Sequence, residues 1–260
     1  METRYNASVN DVWLSDLDDR IVVTDIREDK AEARVFAAEK PASAGTFFER
    51  ANRKSLSVTI VFVLWERSVA QRRALLDLVN KWAGNDMVRI QTNNRPGQYL
   101  NARMIHPPVI ESAMKWLEEI EQTFTAHEVP FWRLADPVNV TTGGEAINET
   151  IPGNGEAFAD VMLTNNGDTP LTAVRFHVGD TMMFFGDLNL PKGGTLAVFH
   201  DKRGLLHAVA NEQSVLELRR PESDDELVVR CGEPALFSVE FKNSENPVAE
   251  AVFTVQGVYV

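Results

Sequence analysis

The second half of the chain is a series of short apolar runs, spaced every 8 to 12 residues after Val138 and separated by turn-forming sequences. The turns include Asn165–Asp168 and Pro191–Gly194, which combine glycine with proline, asparagine or aspartate. This spacing is typical of an antiparallel β-sandwich and leaves no room for a helix of ordinary length. The predicted strands are Phe158–Leu163, Ala173–Val178, Met182–Phe185, Thr195–Phe199, Val215–Leu218, Ala235–Phe241 and Ala251–Tyr259.

The first half has its clearest pattern at Ser55–Trp65, where β-branched and aromatic residues predict a strand that is buried on both faces near its end. Ser68 and Gln71 have the spacing of a capping box, which satisfies free backbone donors at a helix start. Gly84 is a suitable helix terminator. Four apolar residues between these points have helical spacing: Leu75, Leu76, Val79 and Trp82.

The residues after this helix predict further strands. Met87–Thr92 and Tyr99–Ile105 flank Arg95–Gln98, in which Pro-Gly suits a tight type II turn. Residues 110–129 are compatible with an amphipathic helix, but Thr123–Thr125 and the sequence that follows favour strands. We therefore predict strands there as well.

A domain boundary is predicted between Pro130 and Pro137. A segment bounded by prolines continues neither a helix nor a central strand. A chain of 260 residues is also long enough for two cores of ordinary size. We therefore expect an N-terminal domain over residues 1–136 and a C-terminal domain over residues 137–260.

Charge is distributed unevenly between these two parts. Residues 1–136 have a net charge of -2, whereas residues 137–260 have a net charge of -10. Nucleic-acid binding depends on a surplus of basic side chains, which neither part has. The composition excludes nucleic-acid binding as the main activity, but an acidic wall past which DNA slides is compatible with it.

The sequence contains no pattern typical of a catalytic, metal or cofactor site. The histidines have no metal-ligand spacing, no glycine pattern fits a phosphate loop, and Glu222–Glu226 lacks the spacing of a calcium loop. Cys231 is the single cysteine and is expected to be a buried thiol. No apolar run is long enough to cross a bilayer, and the first residues do not have the pattern of an export signal. We expect no enzyme activity, no cofactor and no membrane contact.

Several stretches together resemble the distal tail protein (Dit) family of phages with long non-contractile tails. These are a glycine-containing loop that runs into a long edge-forming strand, a helix that packs on the sheet, a strand that ends in Pro-Phe-Trp, and the opening strands of the C-terminal domain. They correspond to Gly45–Phe62, Arg72–Ala83, Phe124–Trp132 and Leu163–Phe176.

The resemblance implies a mainly β fold with two β-sandwich domains, the first with one packed α-helix and the second galectin-like. It also implies a structural virion protein at the phage tail tip, assembled in the host cytoplasm, whose copies close into a hexameric ring. Its partners would be the tail tube protein and a tail-associated, tail fibre or receptor-binding protein. DNA would pass through the lumen without specific binding.

Contacts between copies are expected at two adjacent phenylalanines in a polar loop, Phe47 and Phe48, and along the strand that follows. The predicted interface residues on that strand are Leu56, Val58 and Ile60. A head-to-tail ring protects strand edges and buries apolar surface that a single copy exposes.

The alternative function is that of a carbohydrate-binding module for attachment to the host surface. Aromatic rings commonly pack against sugar faces, and tryptophan is the usual residue. All five tryptophans precede the predicted boundary, and Tyr259 is the only tyrosine after it. By this count, the C-terminal domain has few residues to offer to a sugar.

Overall fold

The computed structural model of the chain describes residues 5–29, 33–39, 46–53, 55–84, 86–106, 118–127, 129–201, 205–242 and 248–260. The chain divides into two compact units, Met1–Arg133 and Leu134–Val260, called here the N-terminal and C-terminal units. Both are built mainly of antiparallel strands, which confirms the predicted mainly β fold. Within the described residues, no helix is both long and apolar enough to cross a membrane.

The N-terminal unit contains one α-helix among its strands. The elements are β1 (Ala7–Val9), β2 (Val12–Trp13), β3 (Ile21–Glu28), β4 (Ala33–Glu39), β5 (Thr46–Arg53), β6 (Leu56–Leu64), α1 (Val69–Ala83), β7 (Val88–Thr92), β8 (Gln98–His106) and β9 (Ile120–Ala126). A further short strand, β10 (Trp132–Leu134), follows at the division between the units.

Seven of these strands form one sheet in the order β2-β1-β7-β8-β9-β6-β3. The predicted strand at Ser55–Trp65 is β6, and all side chains from Ile60 to Leu64 are buried, as its apolar end predicted. However, β6 is not an edge strand, because β3 pairs along one side of it and β9 along the other.

Helix α1 begins and ends at the predicted residues, but its start is stabilised differently. Ser68 is at the N-cap position and makes no side-chain capping bond, so the predicted capping box is wrong. Instead, the Glu66 carboxylate accepts a hydrogen bond from the Ser68 backbone N–H at 2.9 Å. Gly84 ends the helix with φ +66°, a conformation that glycine adopts without a steric cost.

Two further predictions for this unit are confirmed. The turn at Arg95–Gln98 joins β7 to β8, and Gly97 has φ +73°, as a type II turn requires. Strand β9 lies in the segment for which strands were favoured over a helix. Residues 110–117 and 128 of that segment lie outside the described residues.

The C-terminal unit contains only strands and one short 3₁₀ turn among its described elements. The strands are β11 (Val138–Thr142), β12 (Ile147–Thr150), β13 (Glu156–Asn165), β14 (Ala173–Val178), β15 (Thr181–Phe185), β16 (Thr195–His200), β17 (Leu206–Ala210), β18 (Gln213–Ser214), β19 (Val228–Arg230), β20 (Pro234–Lys242), β21 (Ala249–Val255) and β22 (Val258–Tyr259).

These strands form a sandwich of two main sheets. The larger sheet has the order β11-β21-β13-β16-β17-β18, and the smaller has the order β12-β20-β14-β15. Phe253 of the larger sheet makes edge-to-face contacts with Phe176 and Phe237 of the smaller one, at centroid distances of 6.1 and 5.5 Å. Cys231 is buried, as predicted, and burial raises the pKa of its thiol.

The strand predictions for this unit need two corrections. Val215–Leu218 was predicted to be a strand, but Leu216–Leu218 forms a 3₁₀ turn. The run Ala251–Tyr259 is two strands, β21 and β22, because the chain is interrupted at Gln256 and Gly257. A Cβ atom at Gly257 would clash with the Pro152 carbonyl, so this break also requires a glycine.

Candidate assembly interface

The N-terminal unit contains a two-stranded arm, formed by β4 and β5. The last pair of β3 and β6 is Glu28↔Val58, and the first pair of the arm is Ala33↔Arg53. Ala33 is five residues after Glu28, and Arg53 is five residues before Val58. The arm therefore has the same pairing register as β3 and β6, and the residues between the two pairs, 30–32 and 54, lie outside the described part of the chain. Among the described strands, β4 and β5 pair only with each other.

Among the strands that the structure describes, the outer edges of β4 and β5 have no pairing partner. Each strand of an isolated two-stranded ribbon has an outer edge with unpaired backbone N–H and C=O groups, and such a ribbon is marginally stable in water. A third strand or another surface would stabilise it. The arm is therefore the element of this unit best suited to pairing with another chain.

The predicted interface residues lie in two different environments. Phe47 and Phe48 lie on β5, opposite Ala38 and Ala37, and not in the predicted loop. Leu56, Val58 and Ile60 are buried in the core of the N-terminal unit.

Because their side chains already pack inside the unit, Leu56, Val58 and Ile60 are not available to a neighbouring copy unless the core opens. The interface prediction therefore depends on the arm.

Polar contacts attach the end of β3, which precedes the arm, to the rest of the sheet. Arg95 donates to the Glu28 carboxylate at 2.6 Å, and its guanidinium lies 5.2 Å from the ring centre of Trp132. Arg27, one residue earlier on β3, donates to Glu121 of β9 at 2.6 Å. These contacts join the end of β3 to the β7–β8 turn and to β9.

An exposed apolar pair lies at the opposite end of β6. Trp65 is 57% exposed and directly follows the strand, and Val69 is 55% exposed in the first turn of α1. Trp65 follows β6 and Val69 is the first residue of α1, so the two exposed side chains lie four positions apart along the chain where the strand leads into the helix. The sequence placed Trp65 at the end of the predicted interface strand, but nothing in the sequence distinguished Val69 from a core position of the helix.

An ion-pair cluster lies next to this pair in the chain, at the turn from β6 into α1. Arg20 donates through Nε and Nη2 to the two carboxylate oxygens of Asp18, at 2.9 and 2.8 Å, and through Nη1 to Glu66 at 2.9 Å. The hydrogen bonds from Arg20 hold the pKa of Asp18 well below its usual range. The pKa of Glu66 is also lowered, chiefly by the Ser68 backbone N–H.

Within the described residues, no group of three or more His, Cys, Asp or Glu side chains is placed to hold a metal ion. The N-terminal unit has two distinct surfaces, the arm and the exposed apolar pair, at the two ends of β6. The nine residues of β6 separate them by about 25 to 30 Å.

Comparison with known proteins finds solved structures that are similar to this chain. No protein-family model matches the chain, and no curated protein matches it. The crystal structure of Dit from SPP1, described as a paradigm of the hub adsorption apparatus in phages that infect Gram-positive bacteria, matches with a TM-score of 0.71 at 11% identity. The match covers 97% of this chain and 98% of that one. The chain has the Dit fold.

Chains of the phage P2 baseplate in its activated conformation are also similar. The form with Ca matches at 9% identity and the form with Sr at 8%, each with a TM-score of 0.43 and 97% of both chains covered. The match to SPP1 Dit alone extends over both units of this protein, in agreement with the family resemblance noted in the sequence.

Proposed function

We propose that this chain is a structural subunit of a phage virion and forms a hexameric ring at the distal end of a long non-contractile tail. The ring would link the tail tube to the tail-tip proteins that recognise the host, and DNA would pass through its lumen. Assembly would take place in the host cytoplasm. The observation that carries this proposal is the pair of unlike surfaces, arm and apolar pair, at the two ends of the β3–β6 hairpin.

Unlike surfaces on one subunit favour a ring over a two-fold dimer. A two-fold dimer uses the same patch on both copies, whereas a closed ring joins one patch to a different patch on the next copy. In the proposed contact, the arm of one copy packs on Trp65 and Val69 of its neighbour. Burying a tryptophan at the centre of such a contact typically contributes about 2 kcal/mol or more.

The fold over the full length supports the same proposal, because the SPP1 protein with this fold is described as part of a hub adsorption apparatus. We infer no enzymatic role. The alternative, carbohydrate binding, concerns the C-terminal unit and is independent of ring formation.

The proposal is tested by the mass of the purified protein in solution, measured by light scattering after size exclusion. We expect a hexamer, and we expect Trp65→Ser to raise the subunit dissociation constant by about 30-fold, the equivalent of 2 kcal/mol. The control is Val12→Ser, which removes an apolar side chain of similar exposure, 47%, from β2 of the same unit.

The arm is tested by separate substitutions. Ala51→Pro removes a backbone donor from β5 opposite Val35 and should weaken assembly, as should the double change Phe47→Ser and Phe48→Ser. Circular dichroism establishes that each variant is folded. A wild-type protein that remains single at high concentration would contradict the proposal, and a hexamer unchanged by both arm variants would exclude the arm from the contact.

A further inference from the structure

The outer face of the larger sheet in the C-terminal unit carries exposed apolar side chains on neighbouring strands. Phe158 and Met162 of β13 are each 48% exposed, and Phe199 of β16 is 38% exposed. Met162 lies opposite Ala197 of β16 on one side and Val252 of β21 on the other. Met162, Ala197 and Val252 therefore form an apolar row across three strands, and Phe158 and Phe199 lie on the same outer face of the sheet.

Phe158 is held in place by a chain of two polar residues. The ring of His200 stacks on it, with centroids 4.6 Å apart and an angle of 26° between the planes. The Asp160 carboxylate accepts from both the backbone N–H of His200 and its ring Nδ1, at 3.0 and 2.9 Å. The His200 side chain is only 9% exposed, so the support under the exposed phenylalanine is nearly buried.

Phe199 is held by the same kind of arrangement. His207 of β17 lies directly opposite it in the strand register and stacks on its ring, with centroids 5.5 Å apart and an angle of 22°. The Nε2 atom of His207 lies 3.3 Å from a carboxylate oxygen of Asp201. The sheet therefore presents two exposed phenylalanine rings, each backed by a histidine and an aspartate.

Exposed rings that are already ordered suit a ligand with flat apolar faces. A ring that is fixed before binding loses little conformational entropy when the ligand arrives. Asp160 and His207 are 43% and 46% exposed beside the two rings and can hydrogen bond to a ligand at their edges. A sugar ring has C–H groups on its faces and hydroxyl groups around its edge, which matches this alternation.

Charge restricts the ligand further. Residues 137–260 carry a net charge of -10, and Asp160 lies between the two exposed side chains of β13. A second copy of this chain would bring like charges together on this face, and an anionic polymer would be repelled. A neutral saccharide leaves the carboxylates hydrated or hydrogen bonded and needs no counter-charge.

We propose that this face, defined by Phe158, Asp160, Met162, Phe199 and His207, is a binding site for neutral saccharides. Counting only tryptophan and tyrosine in the sequence did not reveal it, because the exposed aromatic residues here are phenylalanines. The site is separate from the ring contact and does not depend on it.

The test is binding of the full chain to an array of neutral oligosaccharides built from glucose, galactose, rhamnose and N-acetylglucosamine. Any ligand found is then titrated by calorimetry. We expect Phe158→Ala and Phe199→Ala each to weaken binding by about tenfold, and the double variant to abolish detectable binding. Phe158→Tyr retains an aromatic ring and should retain binding.

The matched control is Leu236→Ala, which removes a side chain that is 40% exposed on β20 of the smaller sheet. It should leave binding unchanged. The proposal is overturned if the wild-type chain binds none of these saccharides, or if the double variant binds as well as the wild type. Failure of this test would leave ring formation untouched, because assembly is measured by mass.

Discussion

Arg20 shows how a single residue connects distant parts of the N-terminal unit. Its guanidinium contacts Asp18 before β3 and Glu66 before α1, and its backbone carbonyl accepts from the Trp65 N–H at 2.7 Å. The side chain and backbone of one residue therefore connect the segment before β3, the end of β6 and the start of the helix. A paired, partly shielded carboxylate of this kind makes stability depend on pH.

The stability of the N-terminal unit should fall as Asp18 becomes protonated. The pKa of Asp18 is lower in the folded chain than in the unfolded chain, where an aspartate has a pKa of about 3.9. The interaction is therefore fully stabilising above about pH 4 and is lost as the pH falls further towards the folded-state pKa.

Asp18→Asn should lower the melting temperature of the N-terminal unit at pH 6, and the difference from the wild type should shrink below pH 4. Thermal unfolding followed by circular dichroism at a series of pH values measures this. Asp77→Asn, which neutralises an exposed carboxylate on α1, is the control and should show little difference at any pH. A constant difference between Asp18→Asn and the wild type across the whole series would refute the ion-pair explanation.

At the scale of elements, Trp82 is one of the side chains that attach helix α1 to the sheet, in addition to the apolar residues that the helix buries. The Trp82 ring makes an edge-to-face contact with Phe124 of β9, at 6.3 Å and 87°. Its Nε1 also donates to the Val12 carbonyl at 2.7 Å. The helix is thereby connected to a central strand and to β2 at the end of the sheet.

Because Trp82 is half-buried, we expect Trp82→Ala to destabilise the N-terminal unit by about 2 kcal/mol, while a separate thermal transition of the C-terminal unit remains. Differential scanning calorimetry distinguishes the two transitions. Trp82→Phe retains the aromatic contact but not the hydrogen bond, and it should cost less. A single cooperative loss of both units in Trp82→Ala would show that they do not unfold independently.

Local patterns predicted the elements whose stability depends on their own side chains. Strand β6 and helix α1 have strong apolar periodicity, so both were predicted within one or two residues. The capping box failed because Glu66, outside the Ser-x-x-Gln pattern, binds the helix start instead.

Features that depend on contacts between distant segments could not be predicted from any one segment alone. Strand β5 is Thr46–Arg53, a largely polar sequence without clear alternation, and it is a strand because β4 pairs with it. The two Phe-His-Asp arrangements bring together residues up to 42 positions apart, and their histidines show no motif along the chain. Trp65 was within the predicted interface strand, but its exposure follows from the end of β6 and the turn into α1.

At the scale of the whole molecule, charge opposes assembly. The chain has a net charge of -12 at pH 7, and most of it lies in residues 137–260. Six copies in the proposed ring would therefore repel one another. The proposed contact itself consists of backbone pairing and apolar burial. Salt screens exposed charges over about 10 Å at 0.1 M and leaves apolar contacts largely unaffected.

The fraction of the protein that is assembled in the ring should therefore rise as the NaCl concentration is raised from about 20 to about 300 mM, because screening shortens the range of the repulsion. Light scattering at a fixed, low protein concentration measures this fraction. The double change Asp180→Asn and Glu233→Gln removes two exposed carboxylates from the C-terminal unit and should weaken the dependence on salt. A ring that dissociates as salt increases would mean instead that ion pairs between copies hold it together, and the arm and Trp65 would then be the wrong contact.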